Sequence, residues 1–169
     1  QLSRGLGDVY KRQVLTSNGV NTVAANTYAT AAEANVLAGC SKAIIFSIKD
    51  TAENIAGASE LARSEAVNII STTVATVAQA TKIVENTTGY NTFNIEDSDS
   101  NIAQAGNTLL AKAGTVTVTG TSSVANATTI SGFSKAVSYN ISDTANNALA
   151  TTTAASVSYT HLRAHETVV

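Results

Sequence analysis

The sequence predicts an α/β fold, a repeat solenoid of strand–helix units that share a parallel sheet with a period of about 47 residues. Three observations predict it. First, Gly39–Ala52, reading GCSKAIIFSIKDTA, recurs as Gly132–Ala145, reading GFSKAVSYNISDTA, at a constant offset of 93 positions. A middle copy, Phe93-Asn94-Ile95-Glu96-Asp97-Ser98, sets Asp50, Asp97 and Asp143 apart by 47 and 46 positions, and Asn54, Asn101 and Asn147 by the same steps. Second, an independent block keeps this register: Ala29–Leu37 (ATAAEANVL), Ala75–Ile83 (ATVAQATKI) and Ser122–Ile130 (SSVANATTI). Third, the apolar spacing within each period switches from strand-like alternation to helical spacing, and does so twice.

The ends of the chain stand apart from this pattern. Ser3–Gln13 (SRGLGDVYKRQ) and Val157–Thr167 (VSYTHLRAHET) resemble translations of a transposase-type sequencing-library adapter. The genetic code supplies the check. Tyr159-Thr160-His161 can be written TAT-ACA-CAT, whose reverse complement lies inside GAT-GTG-TAT-AAG, a coding of Asp8-Val9-Tyr10-Lys11. Residues 1–13 and 157–169 are therefore read as adapter-derived and 14–156 as the native fragment, about three repeats long. Both histidines, His161 and His165, fall in the adapter, and Arg63 is the one arginine of the fragment. Six basic against ten acidic residues leave the fragment a formal charge of −4.

The elements follow in order. In the first strand Ile44, Phe46 and Ile48 point one way and Ile45, Ser47 and Lys49 the other. Helical spacing takes over after Asp50, where Ala52, Ile55, Ala56, Ala62 and Leu61 fit one face. Asp50, Asp97 and Asp143 are predicted helix caps, with Glu53 three residues after Asp50 completing a capping box. The second strand is Val67-Asn68-Ile69, recurring as Val116-Thr117-Val118. Its helix carries Val77, Ala80 and Val84, or Val124, Ala127 and Ile130. Connections such as Thr87-Thr88-Gly89 and Ser131-Gly132 carry turn residues. A unit of about 23 residues cannot bury its apolar face alone, whereas units stacked in series bury a continuous core. A right-handed parallel β-helix is the alternative architecture.

Composition narrows the function classes. Charged residues are 13% of the chain, so low charge argues against charge-rich disorder. Without basic clusters the phosphate contacts of a nucleic-acid partner have no donors, and no apolar run approaches the roughly 20 residues of a membrane span. Phosphate-binding glycine loops are absent from the fragment. A nucleophilic role for Cys40 would need a base, and the fragment has no histidine to serve; its repeat counterpart is Phe133, which points to a packed thiol.

Cation binding centres on Asp97 and Asp99. Asp97-Ser98-Asp99-Ser100-Asn101 opens like a calcium-binding loop, but Ile102 stands where such a loop needs glycine and Thr108 where it needs glutamate. Helix capping is the reading preferred over calcium. Paired carboxylates also suit glycoside cleavage, but these sit at repeated helix starts, and the sequence offers no aromatic sugar platform. Asn54, Asn101 and Asn147 are expected to form a ladder, each amide donating to and accepting from its neighbour.

The ordered blocks Tyr/Phe-x-Ile-x-Asp-Thr-Ala-x-Asn and Val-Ala-Gln-Ala resemble the tandem repeats of very long bacterial beta-strand-repeat proteins, which are adhesin-like or haemolysin-associated surface proteins. The resemblance covers most of Val20–Ala150, departing where Asp97-Ser98-Asp99 replaces Asp-Thr-Ala and at Ala148-Leu149. It implies an extracellular or cell-surface structural or adhesive role without catalytic residues or cofactor. The implied partners are neighbouring repeats of the same chain and a glycan or host cell-surface protein. A calcium-dependent carbohydrate-binding or cell-contact module is the alternative.

Overall fold

The computed structural model describes residues 23–149, so the adapter-like segments 1–13 and 157–169 lie outside the described residues. The chain is mixed α/β with parallel sheets. It divides into two compact units, Gln1–Asn94 and Ile95–Val169.

In the first unit, β1 (Val23–Ala24) pairs in parallel with β2 (Ile44–Ile45), and β3 (Ile48–Asp50), β4 (Asn68–Ser71) and β5 (Tyr90–Thr92) form a parallel sheet in that order. Val23 stands opposite Ile44, Ile48 opposite Ile69 and Asn68 opposite Tyr90. Each partner thus lies 21 or 22 positions further on, about one strand–helix unit. Parallel neighbours need a crossover, and the helices supply it: α1 (Ala31–Ala38), α2 (Ala52–Gly57), α3 (Glu60–Glu65) and α4 (Val77–Val84). Helix α1 packs on α3, and α2 packs on α4.

In the second unit, β6 (Ile95–Asp97), β7 (Val116–Ser122) and β8 (Ser138–Ile141) form the parallel sheet, with α5 (Asp99–Leu110), α6 (Val124–Ser131) and α7 (Ala145–Leu149) after the strands. The register opens on Ile95 opposite Val116. Between Thr117 and Thr121 it slips against β8, at a bulge where Gly120 takes φ 78°. That left-handed conformation is one a glycine adopts without steric cost.

The alternation read from the first strand is the observed one. Ile44, Phe46 and Ile48 are buried, while Ile45 and Lys49 are exposed. Phe46, Ile48, Ile55, Ile69 and Ile83 fill the core of the first unit, and Ile95, Ile102, Leu110 and Ile130 that of the second. Alanines 29, 31, 34, 38, 52, 62, 75 and 80 are also buried. Side chains this short let helix and sheet approach closely while each still removes a methyl from water.

Two expectations for the first helix are corrected. The helical run after Asp50 breaks at Ala58-Ser59 into α2 and α3, and Leu61 is half exposed rather than part of the core face. Ser59 causes the restart: its hydroxyl accepts from Ala62 N as an N-cap, and its own N–H donates to Asn35 Oδ1 at 2.8 Å. The same break occurs within α5 at Gly106, where φ is 74°.

Arg63, 4% exposed, closes the α2–α3 break. Its guanidinium donates to the carbonyls of Ala56 and Ala58 and lies 3.9 Å from Glu85 Oε2. The two carbonyls released by the break thereby gain a charged donor, which offsets the cost of burying both.

Candidate functional site

The recurring aspartates make closely similar polar contacts at more than one place among the described residues. Asp50 Oδ1 accepts from Thr51 N at 2.8 Å and from Asn54 Nδ2 at 2.9 Å, while Oδ2 accepts from Ala31 N at 3.0 Å. Asp143 repeats this arrangement with Thr144 N at 2.8 Å, Asn147 Nδ2 at 2.8 Å and Val124 N at 3.0 Å. At Asp97, Oδ1 accepts from Ser98 N at 2.7 Å and Asn101 Nδ2 at 2.8 Å.

The geometry changes two expectations. The N-cap of α2 is Thr51, whose Oγ1 accepts from Asn54 N, and that of α5 is Ser98, whose Oγ accepts from Asn101 N. Asp50 and Asp97 therefore sit one residue before the cap, and Asp50–Glu53 is not a capping box. The reason is reach: once a hydroxyl serves the third helical N–H, the preceding carboxylate is left to accept elsewhere. Asp50 and Asp143 use that freedom to take the first N–H of the preceding helix, in α1 and α6 respectively. Each is a clasp between successive strand–helix units rather than a cap of its own helix.

The asparagines are corrected as well. Asn54, Asn101 and Asn147 are exposed, and each donates to the aspartate four residues before it, so the amides form three local Asp–Asn pairs instead of a ladder. Each carboxylate lies just ahead of the helix start, four positions back, within direct hydrogen-bond reach of the amide.

Other helix starts are tied across units by different residues. Ala52 N donates to Thr73 Oγ1 at 3.0 Å. Asp99 Oδ2 accepts from Ser123 N at 3.0 Å, Asn126 Nδ2 at 2.7 Å and Ser122 Oγ at 3.3 Å. Neither Thr73 nor this role of Asp99 was read from the sequence, since no local spacing encodes a partner more than twenty positions away. The two complete capping boxes, Thr30 with Glu33 and Thr76 with Gln79, were also missed although the T-x-x-E/Q signal was present.

Electrostatics follow from these donors. The Asn54 amide, and after it Ala31 N–H, hold the Asp50 carboxyl below its ordinary value of 3.8 against a modest opposing effect of burial. Asp143 is lowered by Val124 N–H first and then Asn147. Asp99 is lowered by Asn126 first and then Ser123. Groups whose folded pKa is depressed stabilise the fold fully above the unfolded pKa, and that contribution is lost as pH falls through the folded value. The thermal midpoint is therefore expected to hold steady from about pH 7 to about pH 5 and to fall below about pH 4. Calorimetry across this range checks it, and a midpoint that rises on acidification would refute the clasp reading.

Asp50→Ala removes three acceptor contacts and leaves Ala31 N–H without its carboxylate. The expected loss is about 1–2 kcal/mol in urea unfolding at neutral pH. At a pH below the folded pKa the difference from the parent should shrink, because the parent carboxylate is then protonated too.

Asp97 and Asp99, considered above for calcium, point their carboxylates at hydrogen-bond donors. Among the described residues no group of three or more His, Cys, Asp or Glu side chains gathers as a metal site would require. Cys40 is half-buried, with its thiol donating to Val36 O at 3.3 Å, and its counterpart Phe133 is half-buried too.

Exposed aromatics contribute a surface the sequence reading passed over. Tyr90 is 84% exposed, and Tyr28 is half exposed with Lys49 Nζ 5.8 Å from its ring centre. Tyr28, Ile45, Ser47 and Val67 line a shallow groove beside β2. No helix among the described residues is long and apolar enough to cross a membrane. No protein-family model, no curated protein and no solved structure matches the chain.

Proposed function

We propose that this chain is a non-enzymatic structural or adhesive repeat segment of a large bacterial secreted or cell-surface protein, its strand–helix units stacking as a solenoid with a period of about 47 residues. The observation that carries the reading is the clasp. At Asp50 and again at Asp143, one carboxylate binds its own helix start and the first N–H of the preceding helix, with donor distances within about 0.1 Å of each other. A polar contact reproduced this closely serves to join one unit to the next. The parallel pairing of strands one unit apart supports the same reading.

In an array of this kind stability grows by a near-constant increment per repeat. Chains extended by one and then two further copies of residues 47–93 are expected to gain equal steps in unfolding free energy, and their X-ray scattering to show length rising linearly with copy number. Equal length with unchanged stability would defeat the proposal. Partners of such a segment are its neighbouring repeats and a glycan or host cell-surface protein. The calcium-dependent cell-contact reading makes a separate demand: the midpoint must rise with millimolar calcium, and Asp97→Ala with Asp99→Ala must abolish the rise.

A further inference from the structure

Burial is uneven along the repeat. Phe46 and Phe93 are 1% and 2% exposed, but their counterpart Tyr139 in β8 is only half-buried. Ile48 and Ile95 are fully buried, whereas Ile141 is half-buried. At the other end Ile83 and Ile130 are buried, while their counterpart Leu37 in α1 is half-buried. These three less covered positions belong to the last described strand and the first described helix, while within the chain Val77 is half-buried too. Both places lie at sheet edges: among the described residues β1 and β8, like β2, β3, β5 and β6, have a paired strand on one side only, and β1 and β8 are the first and last of these strands.

The two ends are also of different kinds. Two unit types alternate along the chain, one built on the strand that runs into or ends just before a recurring aspartate (β3, β6, β8) and one on the strand that follows it (β4, β7). β1 aligns with β4, placing Val23 at the position of Ile69, 46 residues earlier. The described chain thus opens on the second type and closes on the first. Wherever a first-type strand meets a second-type strand inside the chain the register is the same, Ile48 opposite Ile69 and Ile95 opposite Val116.

We infer that the β8 edge accepts the β1 edge of a second copy of this chain, head to tail, with Ile141 opposite Val23 of that copy. The joint continues a strand register the chain already makes twice, gives Ile141 a paired neighbour and keeps the strands parallel. It rests on the stacked-unit reading above but goes beyond it, since a stacked array can equally be monomeric. A heterologous joint of this kind uses a different edge on each copy, so a joined pair still presents one β8 edge and one β1 edge to further copies.

Sedimentation of the full 169-residue chain tests it. The average mass is expected to climb with concentration from 17.2 kDa past twice that value without a plateau. Ile141→Lys blocks one edge and Val23→Lys the other, because an edge lysine opposes strand addition, and each variant alone is expected to stay monomeric. An equimolar mixture has one intact edge of each kind and is expected to stop at the dimer. That mixture also guards against a lysine that frays its own strand, because each partner contributes its unmodified end. A parent that is monomeric at every concentration, growth unaffected by the two lysines, or a mixture without dimer overturns the inference. If the chain is elongated yet monomeric, the self-association fails and the stacked-unit reading stands.

Discussion

Gly89→Ala is expected to destabilise the first unit by about 3 kcal/mol or more, among the largest effects of any single methyl in this chain. A Cβ built at Gly89 stands 2.7 Å from Val67 C and 2.9 Å from Ala66 O, and closer still to Val67 O. Those are backbone atoms just before β4, and Tyr90 N donates to that same Val67 carbonyl at 3.3 Å. No rotamer relieves such a clash, so relief means moving one strand from another and weakening the β4–β5 pairing. The repeat comparison makes the test sharp. Gly89 aligns with Lys42 and Lys135, which suggests that any side chain is tolerated. Urea unfolding of Gly89→Ala decides between the two: a loss below about 0.5 kcal/mol would mean that β5 shifts freely and the close approach is not a constraint.

Phe46→Ala is expected to cost about 3–5 kcal/mol, from lost transfer energy and from the cavity left behind. Phe46 is 1% exposed, and its carbonyl accepts from Val67 N at 2.9 Å, which fixes the backbone around the ring. Surrounding side chains therefore have little freedom to collapse into the space. Tyr139→Ala, at the aligned position, should cost distinctly less because Tyr139 is only half-buried. Denaturant midpoints of the two variants measured side by side test this order. Equal losses would show that the aligned positions are energetically equivalent despite their different cover.

Much of the fold was legible because its causes are local. Strand alternation through Ile44–Lys49 and the buried stripe Val124, Ala127 and Ile130 follow from periods of two and 3.6, and the observed burial has the same pattern. The parallel sheet followed from units too short to bury an apolar face singly. The α2–α3 break was harder to see, because Ala58-Ser59 carries no proline and its only glycine signal, Gly57, lies at the end of α2. What stabilises the break is Arg63 reaching carbonyls five and seven residues back, together with an amide from α1.

The candidate site divides along the same line. By itself the sequence determined which residues recur, at what interval, and that the acids stand at helix starts, because periodicity and capping chemistry are written in neighbouring positions. Only the tertiary structure decided where each donor goes. Asp50 lies 19 positions from Ala31, Thr73 lies 21 from Ala52 and Asp99 lies 24 from Ser123, and these meet only after parallel pairing has brought consecutive units side by side. Hydrogen bonds select partners by distance in space, and an interval along the chain fixes that distance only after the parallel strands have paired.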